Sequence, residues 1–220
     1  MDWFAPIDLY CERTAPGLFN EPFNAFSNLA FLGAAVLATV RRPARRDVFL
    51  WLLIALVYLI AIGSTTFHMF ANRWSLIADV APTLAFIYAF FLYAMLRFVA
   101  LSWSWSVAVT LLFFVASYAF AGAIPAGVLN GSLSYLPALV GLATLGAYLF
   151  AHQLPAAPLL LVAAATFLVS LTFRTIDLAV CTCLPTGTHF IWHALNTVVL
   201  YLALLSAMRF GGLAPSMRHT

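Results

Sequence analysis

The sequence predicts an all-α integral membrane protein in which seven transmembrane helices place the N-terminus outside the cytoplasm and the C-terminus inside it. Of the 220 residues, 65% are hydrophobic and only 8% are charged, and the mean hydropathy is +1.02. Soluble domains carry about 25% charged residues, so this chain cannot cover a folded surface with polar groups. Its apolar residues fall into runs of about 20, the length that a helix needs to cross a bilayer. Its arginines are unevenly divided between alternate connections.

The predicted helices are apolar runs, and glycine and proline mark the boundaries of some of them, such as Pro125, Gly127 and Gly131 before the fifth and Pro155 and Pro158 at the start of the sixth. The fourth run has the weakest boundaries, because serine and tryptophan alternate at its start, Ser102–Trp105, and Gly122 closes it. The predicted spans are 23–40, 48–68, 77–99, 104–122, 132–151, 156–174 and 188–209. We therefore expect an outer loop over residues 1–22, a membrane domain over 23–210 and a cytoplasmic tail over 211–220.

Arginine placement predicts the orientation, because basic residues in short loops stay on the cytoplasmic side of a membrane. The chain has ten arginines and no lysine, and its densest basic run, Arg41–Arg46, connects the first two helices. The other arginines on this predicted cytoplasmic side are Arg97, Arg209 and Arg218. The opposite connections hold single arginines, Arg73 and Arg174. The N-terminus is therefore expected outside the cytoplasm.

The same features bear on partners and location. The basic residues are too scattered for a nucleic-acid surface, where they cluster on one face, so no nucleic-acid partner is expected. The 20 phenylalanines suit contact with membrane lipid tails or with a lipid-like ligand. Residues 1–20 lack a basic start followed by an apolar run, so no cleaved signal peptide is expected and the first helix would direct insertion. The protein would lie in the inner membrane of a bacterium or, in a eukaryote, in the endoplasmic reticulum or Golgi.

Three histidines are expected at the outer ends of the helices. His189 and His193 lie one turn apart at the start of the seventh helix, on one face, and His68 ends the second helix. Any one of them alone would more often be an interfacial histidine bonded to a neighbouring helix. Three at one membrane level favour a metal site, because three histidines and one open position form the usual catalytic zinc centre.

Asp79 and Ser64 are the candidate catalytic residues beside this site. Asp79 is the only acid within a predicted helix on the outer side, and an ionisable group in a membrane segment indicates function. It would accept a proton from the attacking water, although a cap on the third helix is the alternative. Ser64 precedes His68 by one turn and would donate a hydrogen bond to a developing oxyanion. Its alternative role is packing between helices.

Acidic residues in the outer loop predict a second cation site. Asp8, Glu12 and Glu21 would supply oxygen ligands to Ca²⁺, which takes six to eight of them, although their spacing does not match an EF-hand. A solvated acidic loop is the alternative.

All three cysteines, Cys11, Cys181 and Cys183, fall on the outer side, where an oxidising setting permits disulfides. The odd count leaves one thiol unpaired. A bridge from Cys11 to either Cys181 or Cys183 would hold the N-terminal loop beside the seventh helix.

These motifs, from Asp8 to about Tyr201, resemble those of the alkaline ceramidases, which belong to a wider superfamily of seven-helix membrane hydrolases that also includes the adiponectin and progestin receptors. The matching elements, in order, are Cys11-Glu12, Glu21-x-x-Asn24-x-x-Ser27-Asn28, Ser64-x-x-x-His68, Asp79, Asp177-x-x-x-Cys181 and His189-x-x-x-His193. The order of these elements and the spacing of the Ser, His and Asp residues carry the resemblance.

The resemblance implies a role for each matching residue. His68, His189 and His193 look like zinc ligands, Asp79 like the acid beside the attacking water, and Ser64 like the residue that steadies the oxyanion. The implied disulfide joins Cys11 to Cys181 and leaves Cys183 free. The residues that fall near the family's calcium loop are Asp8, Tyr10, Glu12, Thr14 and Glu21. The chain departs from the family pattern there, because Leu9-Tyr10 stand where the family has Asp and Trp.

The expected function is therefore that of a zinc-dependent lipid amidase, most simply a ceramidase that cleaves ceramide to a sphingoid base and a fatty acid. A hydrolase of another lipid amide or ester is the nearest alternative. A receptor-like protein with a structural zinc is the other, but receptors of this superfamily are expected to have a cytoplasmic N-terminal extension and the reverse orientation. A transporter is disfavoured, because paired interrupted helices are lacking.

Overall fold

The computed structural model of the chain describes residues 2–15, 17–43, 46–125 and 127–212. Within these ranges the protein is helical and has no strand, apart from one isolated bridge between Pro6 and Asn72. The all-α prediction is therefore confirmed. The predicted cytoplasmic tail from residue 213 onward lies outside the described residues, as does Arg45 of the basic run.

Seven helical segments are long and apolar enough to cross a membrane, as predicted. Two of them are divided: the first breaks near Asn28, and the fifth begins with a 3₁₀ segment, Val128–Tyr135. The α-helices in the described ranges are α1 (Pro22–Ser27), α2 (Leu29–Arg41), α3 (Val48–Phe70), α4 (Arg73–Arg97), α5 (Trp103–Ala123), α6 (Leu136–Ala151), α7 (Ala157–Ile176) and α8 (His189–Phe210).

The outer surface of the bundle is apolar. Large hydrophobic side chains such as Leu112, Phe150 and Val48 are between 67% and 83% exposed. The interior is filled by a cluster from α2, α3, α4, α6, α7 and α8, in which Leu53, Leu149 and other side chains are fully buried. An apolar exterior around an apolar core is the pattern of a multi-pass membrane protein.

The third span begins four residues before its predicted start at residue 77. Asn72 caps α4 by accepting the N–H of Ser75, and the Ser75 hydroxyl accepts the N–H of Asn72 in return. This reciprocal capping box satisfies the amides at the helix start. Asp79 therefore lies inside the helix, in its second turn, and the alternative that it caps the helix is wrong.

The backbones of α3 and α4 approach closely next to the residues proposed for catalysis. Pro82 has no N–H to donate to the carbonyl of Ala78 one turn earlier, and this carbonyl lies against Gly63 of α3. A Cβ at position 63 would overlap the Ala78 carbonyl. The missing side chain of Gly63 thus lets Ser64 on α3 approach Asp79 on α4.

We expect Gly63→Ala to lower the free energy of unfolding by about 1–3 kcal/mol, the usual effect of overpacking. The atoms that the new Cβ would overlap belong to the backbone of α4, which cannot rotate away as a side chain can. The measurement is thermal unfolding of the purified protein in detergent. Gly33→Ala is the matched control, since a Cβ there meets nothing within 4 Å and alanine favours helix over glycine. Equal melting temperatures for Gly63→Ala and the wild type would contradict the close contact.

Candidate metal centre

Three histidines from distant parts of the chain meet in the interior of the bundle. His68 lies in the last turn of α3, and His189 and His193 lie in the first turns of α8. None is more than 2% exposed, and one ligand nitrogen from each lies within 4.8 Å of the other two. The ring centroids are 4.6 to 5.3 Å apart. The predicted convergence of these residues is confirmed.

His68 is held by a buried carboxylate. Its Nδ1 lies 2.5 Å from Oε2 of Glu21, and Glu21 also accepts hydrogen bonds from Arg13 Nε at 2.5 Å and Asn24 Nδ2 at 3.1 Å. Burial opposes ionisation of Glu21, but the hydrogen bonds that it accepts outweigh this effect and hold its pKa below the usual value. A carboxylate only accepts hydrogen bonds, so His68 carries its proton on Nδ1 and has a lone pair on Nε2. That buried Nε2 has no hydrogen-bond partner in the described chain.

His193 is oriented by Ser27, the last residue of α1. The Ser27 hydroxyl donates to the carbonyl of Asn24 at 2.7 Å, and its oxygen lies 2.7 Å from Nδ1 of His193. Because the carbonyl takes the hydroxyl proton, Nδ1 of His193 is the donor in the second bond. His193 therefore also has its lone pair on Nε2. Hydrogen bonds of this kind fix the tautomer and the ring orientation of metal-ligating histidines.

His189 is positioned by stacking and through its backbone. The Tyr10 ring stacks on its imidazole with 3.6 Å between the ring centroids. Oδ1 of Asp177 accepts the N–H groups of Thr188 at 2.7 Å and of His189 at 2.9 Å, so a carboxylate satisfies the first amides of α8. Nδ1 of His189 is buried and has no hydrogen-bond partner among the described residues.

Asp177 also fixes the N-terminal loop. Its Oδ2 accepts the backbone N–H of Cys11 at 3.0 Å, and a disulfide joins Cys11 to Cys181 with 5.4 Å between their Cα atoms. This confirms the pairing implied by the resemblance, and Cys183 is free and exposed. Glycine is required at position 187, next to Asp177 and Cys11, because its φ is +62° and a Cβ there would overlap both residues.

The arrangement fits a transition-metal ion. Imidazole nitrogen suits zinc, copper, iron and nickel, whereas calcium and magnesium prefer oxygen. The unpartnered nitrogens of His68 and His189 are polar groups that would otherwise be desolvated without compensation. The residues that would hold the ion are His68, His189 and His193.

Ser64 and Asp79 lie beside the histidines on facing helices. Ser64 is one turn before His68 and is 3% exposed, and it lies close to Asp79 of the facing helix at the wall of one cavity. Both residues line the same cavity as His189 and His193. The sequence did not predict that Ser64 and Asp79 would lie next to each other. The partner expected for Ser64 was the oxyanion that forms on the substrate.

Asp8, Glu12 and Glu21 do not form a group of three metal-ligating side chains in the described ranges, and the calcium site stays a prediction. Asp8 is exposed. The Glu12 carboxylate accepts the N–H groups of Phe23 at 2.6 Å and Asn24 at 2.9 Å at the start of α1, and Glu21 bonds Arg13 and His68. Burial raises the pKa of Glu12, and these backbone N–H groups oppose the rise. In the described ranges, the group of three metal-ligating side chains is that of the histidines, and the two glutamates serve as hydrogen-bond acceptors.

A cavity of about 160 Å³ opens beside the metal centre. Its walls come mainly from apolar side chains of α3 to α8, among them Phe86, Phe90, Phe113, Leu145 and Phe167. Ligand sites of this type are mostly apolar and contain a few polar groups that fix orientation. The cavity can therefore hold an apolar chain with its polar end at the histidines.

Four residues of the site were not assigned to it from the sequence: Arg174, Tyr135, Trp192 and Asn196, which all line the cavity. Asn196 could have been found, because it follows His193 by three residues and shares its helix face. Arg174 was expected in an outer connection, but α7 continues to Ile176, which places this arginine in the last turn of the helix. Tyr10 was expected near calcium, but it lies buried on His189, and burial raises its pKa to about 12 against the effect of the neighbouring Arg174 charge.

No protein-family model matches the chain, and no curated protein matches it. The resemblance to the alkaline ceramidases therefore rests on the sequence motifs alone.

We expect Glu21→Gln to weaken zinc affinity by about tenfold to a hundredfold, the usual effect of losing an outer-shell partner, because the amide supports the lone pair on His68 Nε2 less well than a carboxylate. Competition with a zinc chelator measures the affinity. Asp8→Asn is the matched control, since that acid is exposed and distant from the histidines' hydrogen bonds. Equal affinity in Glu21→Gln and the wild type would disprove this role.

Proposed function

We propose that this protein is a zinc-dependent intramembrane hydrolase of lipid amides, and that ceramide, cleaved to a sphingoid base and a fatty acid, is its simplest substrate. The observation that carries the proposal is the three-histidine cluster, whose ligand nitrogens lie within 4.8 Å of one another at the wall of an apolar cavity. The carboxylate and hydroxyl that amide hydrolysis needs line the same cavity. The resemblance to the alkaline ceramidases supports the same proposal.

When bound, zinc would act as a Lewis acid on the amide carbonyl and would lower the pKa of water. Asp79 would take a proton from the water as its oxygen attacks the carbonyl carbon. The same carboxyl would then deliver the proton to the nitrogen as the C–N bond breaks, so that the acyl group leaves as a fatty acid and the base as an amine. General acid–base catalysis of this kind contributes about 10²–10⁴-fold.

Ser64 would have two successive roles. Before attack, its hydroxyl would donate a hydrogen bond to the neighbouring Asp79 carboxylate, and such a bond favours the charged form of the acceptor. Once Asp79 has taken the proton, the Ser64 hydroxyl is free to donate to the oxyanion that forms on the substrate.

The proposed substrate and orientation fit the surroundings of the site. The acyl chain would lie among the aromatic and aliphatic walls of the cavity, away from water. The arginine distribution places the metal centre near the non-cytoplasmic face of the membrane, and the disulfide that joins Cys11 to Cys181 suits an oxidising compartment. That face would be periplasmic in a bacterium and lumenal in a eukaryote.

We expect Asp79→Asn to keep bound zinc and the wild-type melting temperature while turnover falls on the order of a hundredfold or more. The asparagine preserves the shape of the side chain but cannot take the proton. Zinc content by atomic emission, melting temperature and hydrolysis of a labelled ceramide in detergent check the three parts. Normal turnover would remove Asp79 from the mechanism.

We expect the purified protein, mixed with a panel of lipid amides and esters, to release fatty acid from amides, with both products identified by mass spectrometry. His193→Ala is expected to lose zinc and this activity together, because two histidines seldom suffice for a catalytic zinc site. Release of fatty acid from esters alone would mean that the protein is an esterase and that the amidase proposal is wrong. A His193→Ala protein that retains zinc and full activity would refute the metal assignment.

A further inference from the structure

Arg174 projects into the cavity beside the metal centre. It lies in the last turn of α7, is half-buried and lines the cavity wall. Its Nη1 donates to the hydroxyl of Tyr10 at 3.0 Å. Its Cζ lies 5.6 Å from the ring centroid of Tyr10, 5.4 Å from that of Tyr135 and 5.4 Å from that of Trp192. Three aromatic rings thus surround the guanidinium.

The charge of Arg174 has no anionic partner within ion-pair distance. No carboxylate oxygen in the described part of the chain lies within 4.0 Å of it, and Asp79, which shares the cavity, acts on it only from farther away. Its Nε is buried and has no hydrogen-bond acceptor. The aromatic rings attract the cation, but the Tyr10 and Tyr135 phenols are neutral groups. A charge that is partly withdrawn from water and has no counter-charge is costly, and in a membrane protein it indicates a functional site.

The guanidinium is close to the reacting end of the cavity. The ring of Tyr10 contacts both Arg174 and the metal-site residue His189, and the ring of Trp192 lies 6.4 Å from that of His189 and 5.4 Å from Arg174 Cζ. A lipid amide whose carbonyl lies at the histidines and whose acyl chain fills the apolar part of the cavity would have its amine portion as the group left to meet Arg174.

We propose that Arg174 binds an anionic headgroup, a carboxylate or a phosphate, on the amine side of the lipid amide. The inference rests on the proposed function and sets a preference within its substrate class, in which lipid amides with an anionic headgroup are favoured over neutral ones such as ceramide. The planar guanidinium can donate two parallel hydrogen bonds to either anion, and such a group would supply both the missing charge and an acceptor for Nε. A neutral headgroup would leave the guanidinium without a counter-charge.

The test uses two pairs of amides that differ in headgroup charge. N-oleoylglycine is compared with N-oleoylethanolamine, which replaces the carboxylate by a hydroxymethyl group, and ceramide 1-phosphate is compared with ceramide. For the zinc-loaded protein in detergent, we expect kcat/KM to favour the anionic member of at least one pair by about tenfold to a hundredfold, the usual effect of hydrogen bonds to a charged group. A preference in the first pair assigns a carboxylate, and one in the second assigns a phosphate.

Three variants separate anion binding from a structural role. Arg174→Gln is expected to reduce the anionic-to-neutral ratio by at least about tenfold, and Arg174→Lys to keep part of it, because lysine retains the charge without the planar fork. Tyr10→Phe removes the hydrogen bond to the guanidinium and should keep the anionic-to-neutral ratio. If Arg174 served only to hold Tyr10 in place, Tyr10→Phe and Arg174→Gln would change this ratio equally. Arg209→Gln is the matched surface control, since Arg209 is exposed at the other end of the bundle.

Binding is measured separately from turnover. In the Asp79→Asn background, the same lipids are titrated and their dissociation constants compared with and without Arg174→Gln. Tighter binding of the anionic lipid that depends on Arg174 supports the inference even if no amide is hydrolysed, a result that would defeat the proposed function alone. Hydrolysis with no preference for either anion, or an equal effect of Arg174→Gln on both members of each pair, would overturn the inference.

Discussion

The Asp177 carboxylate joins the two halves of the metal centre. It accepts backbone N–H groups from Cys11 in the N-terminal loop and from Thr188 and His189 at the start of α8. Hydrogen bonds to a charged acceptor are the strong ones in proteins, and a buried carboxylate without them would be severely destabilised. The position of the α8 histidines relative to the loop, and with it the place of Tyr10 on His189, therefore depends on this one side chain.

A second polar network, on the opposite side of the histidines, comes from the loop and α1. Glu21 bonds His68 and Arg13, and Arg13 also donates to the carbonyl of His68 at 3.2 Å. Ser27 holds His193 from the end of the same short helix. Metal affinity and folding are coupled in such sites, because the ligands are brought together only in the folded chain. The N-terminal segment is thus part of the metal centre, although it contributes no ligand.

The sequence predicted the seven spans and the meeting of the histidines, because hydropathy and arginine placement together decide which helix ends share a face of the membrane. The Cys11–Cys181 pairing came from the resemblance and not from spacing. The start of α4 was displaced by four residues, because windows of hydropathy exclude charged residues such as Arg73 from a helix, whereas the end of α7 lies only two residues beyond the predicted end at 174. The partners of Arg174 come from the loop, the 3₁₀ segment and α8, and contacts between elements so far apart in sequence leave no periodic signal. Glu12 and Glu21 were assigned to calcium for the same reason, since their backbone and histidine partners become visible only in the folded chain.

The disulfide between Cys11 and Cys181 spans 170 residues, and this separation has a consequence for biosynthesis. The loop that completes the site is made first, whereas α8, on which it must close, is inserted last. Contacts of high sequence separation form late, because the loop entropy must be overcome before they are gained. The three histidines can therefore meet only after α8 has been synthesised and inserted, and until then the newly made segment is a bundle of helices with an incomplete site.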